Sequence, residues 1–273
     1  MGTSHRHKPA GNPNWGKTSN SVTQIANNIV ESKKLDNNPP TTMTTSAIEK
    51  RQAKIGNRVF NHYRSSVRNL VRSAGGRKSV ASGVSKVMGR SGVYYANAFT
   101  STFQDIAQKG LNSWLKDHGI LSIEGKTTKE VLDILSNFMD DYFTGLDDTA
   151  AREALEAVKD KVAKSVEQNN GDFDTTIQEI VSGEIIKDYL DEFFGVYIYS
   201  HLSQSFFEKI QKEKGYDIAI ETMQEIRDLI IDDVKRSYID RPIGTIDWKG
   251  IEGKKFINEE FNRIIKILTN NED

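Results

Sequence analysis

The chain contains no cysteine, which excludes disulfides, thiolate catalysis and cysteine-ligated zinc. It has no run approaching the roughly eighteen apolar residues of a membrane span, and its start lacks the apolar core of a secretory signal. Sustained period-2 alternation, a βαβ rhythm and repeats of roughly 20–50 residues are missing as well. Residues 50–90 hold no acidic side chain. These absences point to a cytoplasmic, helical protein without a membrane segment.

The 273 residues are enough for one substantial core. The net charge of −1 hides a split along the chain. Residues 1–126 carry 19 basic and 6 acidic side chains, whereas residues 127–273 carry 18 basic and 32 acidic. Such asymmetry suits either a polyanion-binding half or two halves that attract each other.

Residues 1–47 are rich in Asn, Thr, Ser, Pro and Lys. Too little apolar surface is present to offset ordering entropy, which predicts a disordered polar tail. A short helix over Val22–Val30 is its only regular candidate. The folded part is expected over 48–273, basic over 48–120 and acidic over 121–273, as one all-α, multi-helix bundle. Trp15, alone among polar neighbours, reads either as a docking anchor for a partner or as an exposed ring without a role. Gly2 follows Met1, so removal of the initiator would leave an unhindered α-amine. N-myristoylation is not expected, because that motif wants Ser or Thr at position 6, where Arg6 stands.

From about Ser46 helical spacing takes over. Arg51, Lys54, Arg58, Arg64, Arg68 and Arg72 project onto one arc, and Ile55, Val59, Phe60, Tyr63, Val67, Leu70 and Val71 onto the other. Ala74-Gly75-Gly76 ends that helix. A short helix over Ser79–Gly89 and a longer one from Gly92 to about Gly119 should follow. Thr127 and Glu130 have capping-box spacing before Val131, Ile134 and Leu135. Leu155, Val158, Val162 and Val166 mark a further helix, broken at Asn169-Asn170-Gly171. The run from Glu184 to about Lys214 is apolar on all sides around Phe193–Tyr199, which belongs at the centre of a bundle. Met223, Ile226, Ile230, Val234 and Tyr238 mark another helix. Pro242 sits in a connector, and a last helix covers roughly Phe256–Leu268.

No catalytic set emerges. His5 and His7 form an HxH pair too sparse for metal, and His201 reads as a hydrogen-bonded core residue. The acidic pairs Asp140-Asp141, Asp147-Asp148 and Asp232-Asp233 diverge by about 100° on a helix, so they read as solvated faces rather than Mg²⁺ ligands. Gly75-Gly76-Arg77-Lys78-Ser79 lacks the phosphate-loop spacing and does not follow a strand. Its exposed amides with Arg77 and Lys78 still suit a single phosphate or carboxylate. The arginines at 51–72 suit nucleic-acid phosphates, and equally carboxylates of the acidic half.

Met1-Gly2-Thr3-Ser4, Pro13-x-Trp15, Gly75-Gly76-Arg77-Lys78-Ser79 and Met88-Gly89-Arg90 resemble the QatB family. So do Tyr94, Phe99 and Leu111, with the acidic helices that follow. QatB proteins are accessory components of the four-gene Qat anti-phage defence system. The resemblance implies an ATPase, a QueC-like enzyme and a TatD-like nuclease as partners. QueC-type enzymes activate a carboxylate with ATP for attack by an amine, and Gly2 matches the terminal glycine that would accept a deazaguanine. The tail departs from the family in being rich in Asn and Thr rather than Gly and Pro.

The expectation is therefore a non-enzymatic defence component without cofactor or metal. Its body docks the ATPase, Gly2 is modified, and Trp15, Arg64, Arg68, Arg72, Arg77 and Lys78 serve partner or anion binding. The alternative is a nucleic-acid module built on helix 50–73 and the glycine-rich segment after it.

Overall fold

In the computed structural model, residues 12–139, 143–182, 185–236 and 246–270 are described. Among them every regular element is a helix. Gly2, Asp140-Asp141, Tyr238 and the Pro242 connector lie outside the described residues.

The largest difference from expectation is at the start. Helix α1 spans Pro13–Asn37, so most of the stretch predicted to be a tail is a helix, far longer than Val22–Val30. Val22, Ile25, Ala26, Ile29 and Leu35 recur at helical spacing and are buried. They pack on α2, Thr45–Ser73. A narrow apolar stripe, hidden in polar composition, suffices once a second helix covers it. The pair is antiparallel: Asn12 at the start of α1 reaches Ser73 at the end of α2, and Gln52 near the start of α2 bonds Ser32 and Asp36 at the end of α1. Trp15 stands on this helix, half-buried, with its ring 5.3 Å from that of Phe206.

Downstream, α3 is a single short helix, Arg77–Ala81. The long helix expected from Gly92 divides into α4, Arg90–Lys109, and α5, Leu111–Asp117. The break at Gly110 is held by Asp174, whose carboxylate accepts from the Leu111 amide at 2.6 Å. The predicted capping box opens α6, Thr128–Met139: Glu130 accepts from the Thr127 amide at 2.7 Å, and Thr127 Oγ1 accepts from the Glu130 amide at 3.3 Å. Then come α7, Leu146–Gln168, and α8, Phe173–Ser182, a helix the periodicity did not single out.

Helix α9, Ile185–Lys214, is the axis of the bundle. Phe193, Phe194, Tyr197 and Ile198 are fully buried on different sides of it, because α7, α10 (Tyr216–Arg236), α11 (Ile251–Leu268), α8, α1 and α4 all pack around it. One continuous apolar core runs from Val22 on α1 to Leu268 on α11.

Candidate functional site

The basic face of α2 is present, but much of it is turned to the protein's own acids. On α1, Glu31 accepts from Arg51 Nη2 at 3.1 Å and from Arg58 Nη2 at 2.6 Å. The Arg51 hydrogen bond, with Arg58 beside it, holds the Glu31 carboxyl below its ordinary range. Arg64 meets Asp233 of α10 at 3.4 Å, and its guanidinium lies 4.4 Å above the Phe60 ring. Tyr63 Oη donates to the same carboxylate at 3.3 Å. Burial, then the charge of Asp233, pushes the Tyr63 phenol well up. Arg68 donates to the Thr269 carbonyl at 3.5 Å, a cation at the C-terminal end of α11. Arg72 is exposed in the last turn of α2.

Past the glycine turn the surroundings change. Arg77 and Lys78 on α3 face Lys254, Lys255 and Asn258 on α11 across a groove of about 620 Å³. Glu259 is the single acid lining it, and it lies 3.9 Å from Lys255 one turn away. The N-terminal approach to α1 is fixed at the same end of the molecule. Asn12 Oδ1 accepts from the Asn14 amide at 3.0 Å, while its Nδ2 donates to the Ser73 carbonyl at 2.8 Å. One side chain thus caps the start of α1 and the end of α2.

The most concentrated polar chemistry lies in the interior. Asp147, in the first turn of α7, accepts through Oδ2 from the Ser91 amide at 2.8 Å. Through Oδ1 it accepts from the Gly89 amide at 3.1 Å, from Tyr197 Oη, and from His201 Nε2 at 3.2 Å. Burial pushes this carboxyl up, but the His201 and Tyr197 hydrogen bonds and the Ser91 amide outweigh it and hold it low. Burial and the neighbouring carboxylate drive the Tyr197 phenol well up. Gly89 has φ +120° and a Cβ there would stand 2.3 Å from the Val80 carbonyl oxygen. A Cβ on Gly92 would meet the Tyr197 ring at 2.8 Å. The Met88-Gly89-Arg90 segment is therefore a seat for α7 and α9. Asp148 is bonded to Tyr95 Oη at 3.3 Å and Arg152 Nε at 2.8 Å.

These acids correct the sequence reading. Asp147, Asp148 and Asp233 are buried, not parts of solvated faces, because backbone amides, tyrosines and Arg64 from distant segments, with Arg152 one turn along α7, supply their hydrogen bonds. His201 is the hydrogen-bonded core residue expected. Among the described residues, no group of three or more His, Asp or Glu side chains converges as a metal site. The Asp147–His201–Tyr197 cluster superficially resembles a proton relay. Every member is sealed from solvent and committed to its neighbours, which makes it a structural hub.

Of the residues singled out from sequence, Arg77 and Lys78 come together in the groove. Arg64 and Arg68 point to other parts of the chain, and Trp15 packs on α9. Lys254, Lys255 and Asn258 were not foreseen. Their helix carries mixed charge, and nothing local signals that it pairs with α3.

No described helix is long and apolar enough to cross a membrane. The family described as "Qat anti-phage system associated protein QatB" matches residues 75–268. That span begins at the glycine turn and takes in the hub and the groove; Met1–Ser4 and Trp15 precede it. No curated protein and no solved structure matches the chain.

Proposed function

The chain belongs to the QatB family of the Qat anti-phage system, and from that premise we propose that it is a non-enzymatic component whose N-terminal Gly2 is modified by a QueC-like partner. Membership makes it a component of anti-phage defence that acts with partners from the same system. The finer reading is that the helical body docks the system's ATPase while the residues ahead of Asn12 enter the QueC-like enzyme. A TatD-like nuclease would complete the set.

The observation that carries this reading is the family match, and the anchoring of Asn12 supports it. The body holds the chain at a defined point between α1 and α2. Gly2 and Asn12 are ten positions apart, enough to span roughly 35 Å when extended. An enzyme that joins an activated carboxyl group to an amine needs that amine neutral. An α-amino group with a pKa of about 7.7–8.0 is partly neutral near pH 7, whereas lysine at about 10.4 is almost wholly charged. Glycine also places the least bulk beside the nitrogen.

Protein co-expressed with its QueC-like partner should carry a deazaguanine-type adduct on Gly2 after loss of Met1, seen by intact mass and N-terminal peptide spectra. Gly2→Leu, which retains Met1, should lose both adduct and phage protection. An unmodified Gly2 in a fully protective system would overturn the reaction. The nucleic-acid alternative loses ground because Arg51, Arg58 and Arg64 are paired with Glu31 and Asp233.

A further inference from the structure

We propose that the groove between α3 and α11 is a docking site for an acidic polypeptide segment that carries an aliphatic residue. It stands apart from the reaction at Gly2 and survives if that reaction is disproved. Two properties of the groove choose this occupant.

The first is charge. Arg77, Lys78 and Lys254 have no ion-pair partner among the described residues, and Lys255 has only the exposed Glu259 at 3.9 Å. Elsewhere the same protein pairs Arg58 and Arg64 with acids from other helices. Cations gathered from two elements, with no internal partner supplied, complement an anionic ligand.

The second is the apolar rim. Ile251 and Ala81 line the groove, and Ile251 is 85 % exposed. A phosphate backbone gains nothing from these side chains. An aliphatic residue on a peptide gains roughly 25 cal/mol for each Å² buried against them. No aromatic side chain lines the groove, so a nucleobase finds no stacking platform.

The chain's own residues 1–11 are a poor occupant, since Arg6 and Lys8 repeat the groove's charge.

The test is fluorescence anisotropy on the full chain, without the QueC-like enzyme, using three labelled probes. These are a twelve-residue helix-forming peptide of Glu and Leu, an all-Glu peptide of equal length, and a twelve-nucleotide single-stranded DNA. The Glu/Leu peptide should bind at least about ten-fold more tightly than either other probe, a difference of about 1.4 kcal/mol. Its affinity should fall with salt. Lys78→Glu with Lys254→Glu should weaken it at least ten-fold, while thermal melting stays unchanged because both positions are exposed. Ile251→Ser should weaken the Glu/Leu peptide and leave the all-Glu peptide unaffected. Equal or tighter binding of DNA would make the site a phosphate surface and overturn the proposal. So would absence of peptide binding up to about 1 mM, or indifference to the charge reversals. Self-association abolished by the charge reversals would replace the peptide with a second copy of the chain, and would likewise overturn it.

Discussion

The arginines of α2 and the cations around the α3–α11 groove belong to the same acid-free stretch or face it, yet they meet opposite surroundings. Arg51 and Arg58 converge on Glu31, and Arg64 lies against a buried Asp233. Arg77 and Lys78, a few residues later, look across at more lysines and asparagines. The difference teaches that a basic run in a sequence is not yet a binding surface. What decides is whether the fold brings acids from elsewhere to meet it. Here α1 and α10 supply them to α2, whereas α11 brings to the groove only Glu259, which lies beside its own Lys255.

The same contrast has an interior extreme in Asp147, where a charge is satisfied on all sides. Asp147→Ala should give the largest effect of all, a loss of about 3–5 kcal/mol. It strands the buried His201 ring, the Tyr197 hydroxyl and the Ser91 amide at once. Urea unfolding followed by circular dichroism measures it. A loss below about 1 kcal/mol, the scale of an exposed ion pair, would show that the hub is not what seats α4, α7 and α9.

Arg64→Ala and Lys78→Ala then compare the two basic regions directly. Removing Arg64 leaves the buried Asp233 with less compensation and should cost about 1–2 kcal/mol. Removing Lys78, which is exposed and meets no acid, should fall within about 0.5 kcal/mol of zero. Equal losses at the two positions would erase the distinction between spent and open charge.

A separate effect should come from pH. Asp191 on α9 faces Arg263 at 2.5 Å, and Arg263 also bonds Glu260. Burial pushes Asp191 up to about 7, against the pull of Arg263 and with the push of Glu260. A carboxyl whose folded pKa lies above its unfolded value stabilises the protein when protonated. Its contribution is therefore complete below about pH 4 and is lost as pH rises through about 7. Asp191→Asn should flatten that decline in the urea midpoint between pH 5 and 7. An unchanged profile would show that Asp191 is not the group that titrates there.

Helical class, the central position of α9 and the capping box of α6 were legible because each is written in spacing over a few turns. Helix α1 was not. Its buried stripe of Val22, Ile25, Ile29 and Leu35 is diluted by Asn, Thr and Ser, and its stability comes from α2 rather than from itself. Asp147 and Asp148 looked solvated because their partners Ser91, Tyr95 and Tyr197 lie more than fifty residues away or close to it. The groove was half legible. Arg77 and Lys78 stood out beside glycines, whereas Lys254 and Asn258 gain meaning only once α11 lies against α3.

Asn12 joins these regions mechanically. Its one side chain closes the first turn of α1 and holds the last carbonyls of α2 through Ser73, four residues ahead of Arg77. A load applied to the chain ahead of it, as when an enzyme grips the terminus, is borne first by this clasp. Releasing it would open the first turn of α1 and leave the Ser73 carbonyl without its donor in one step.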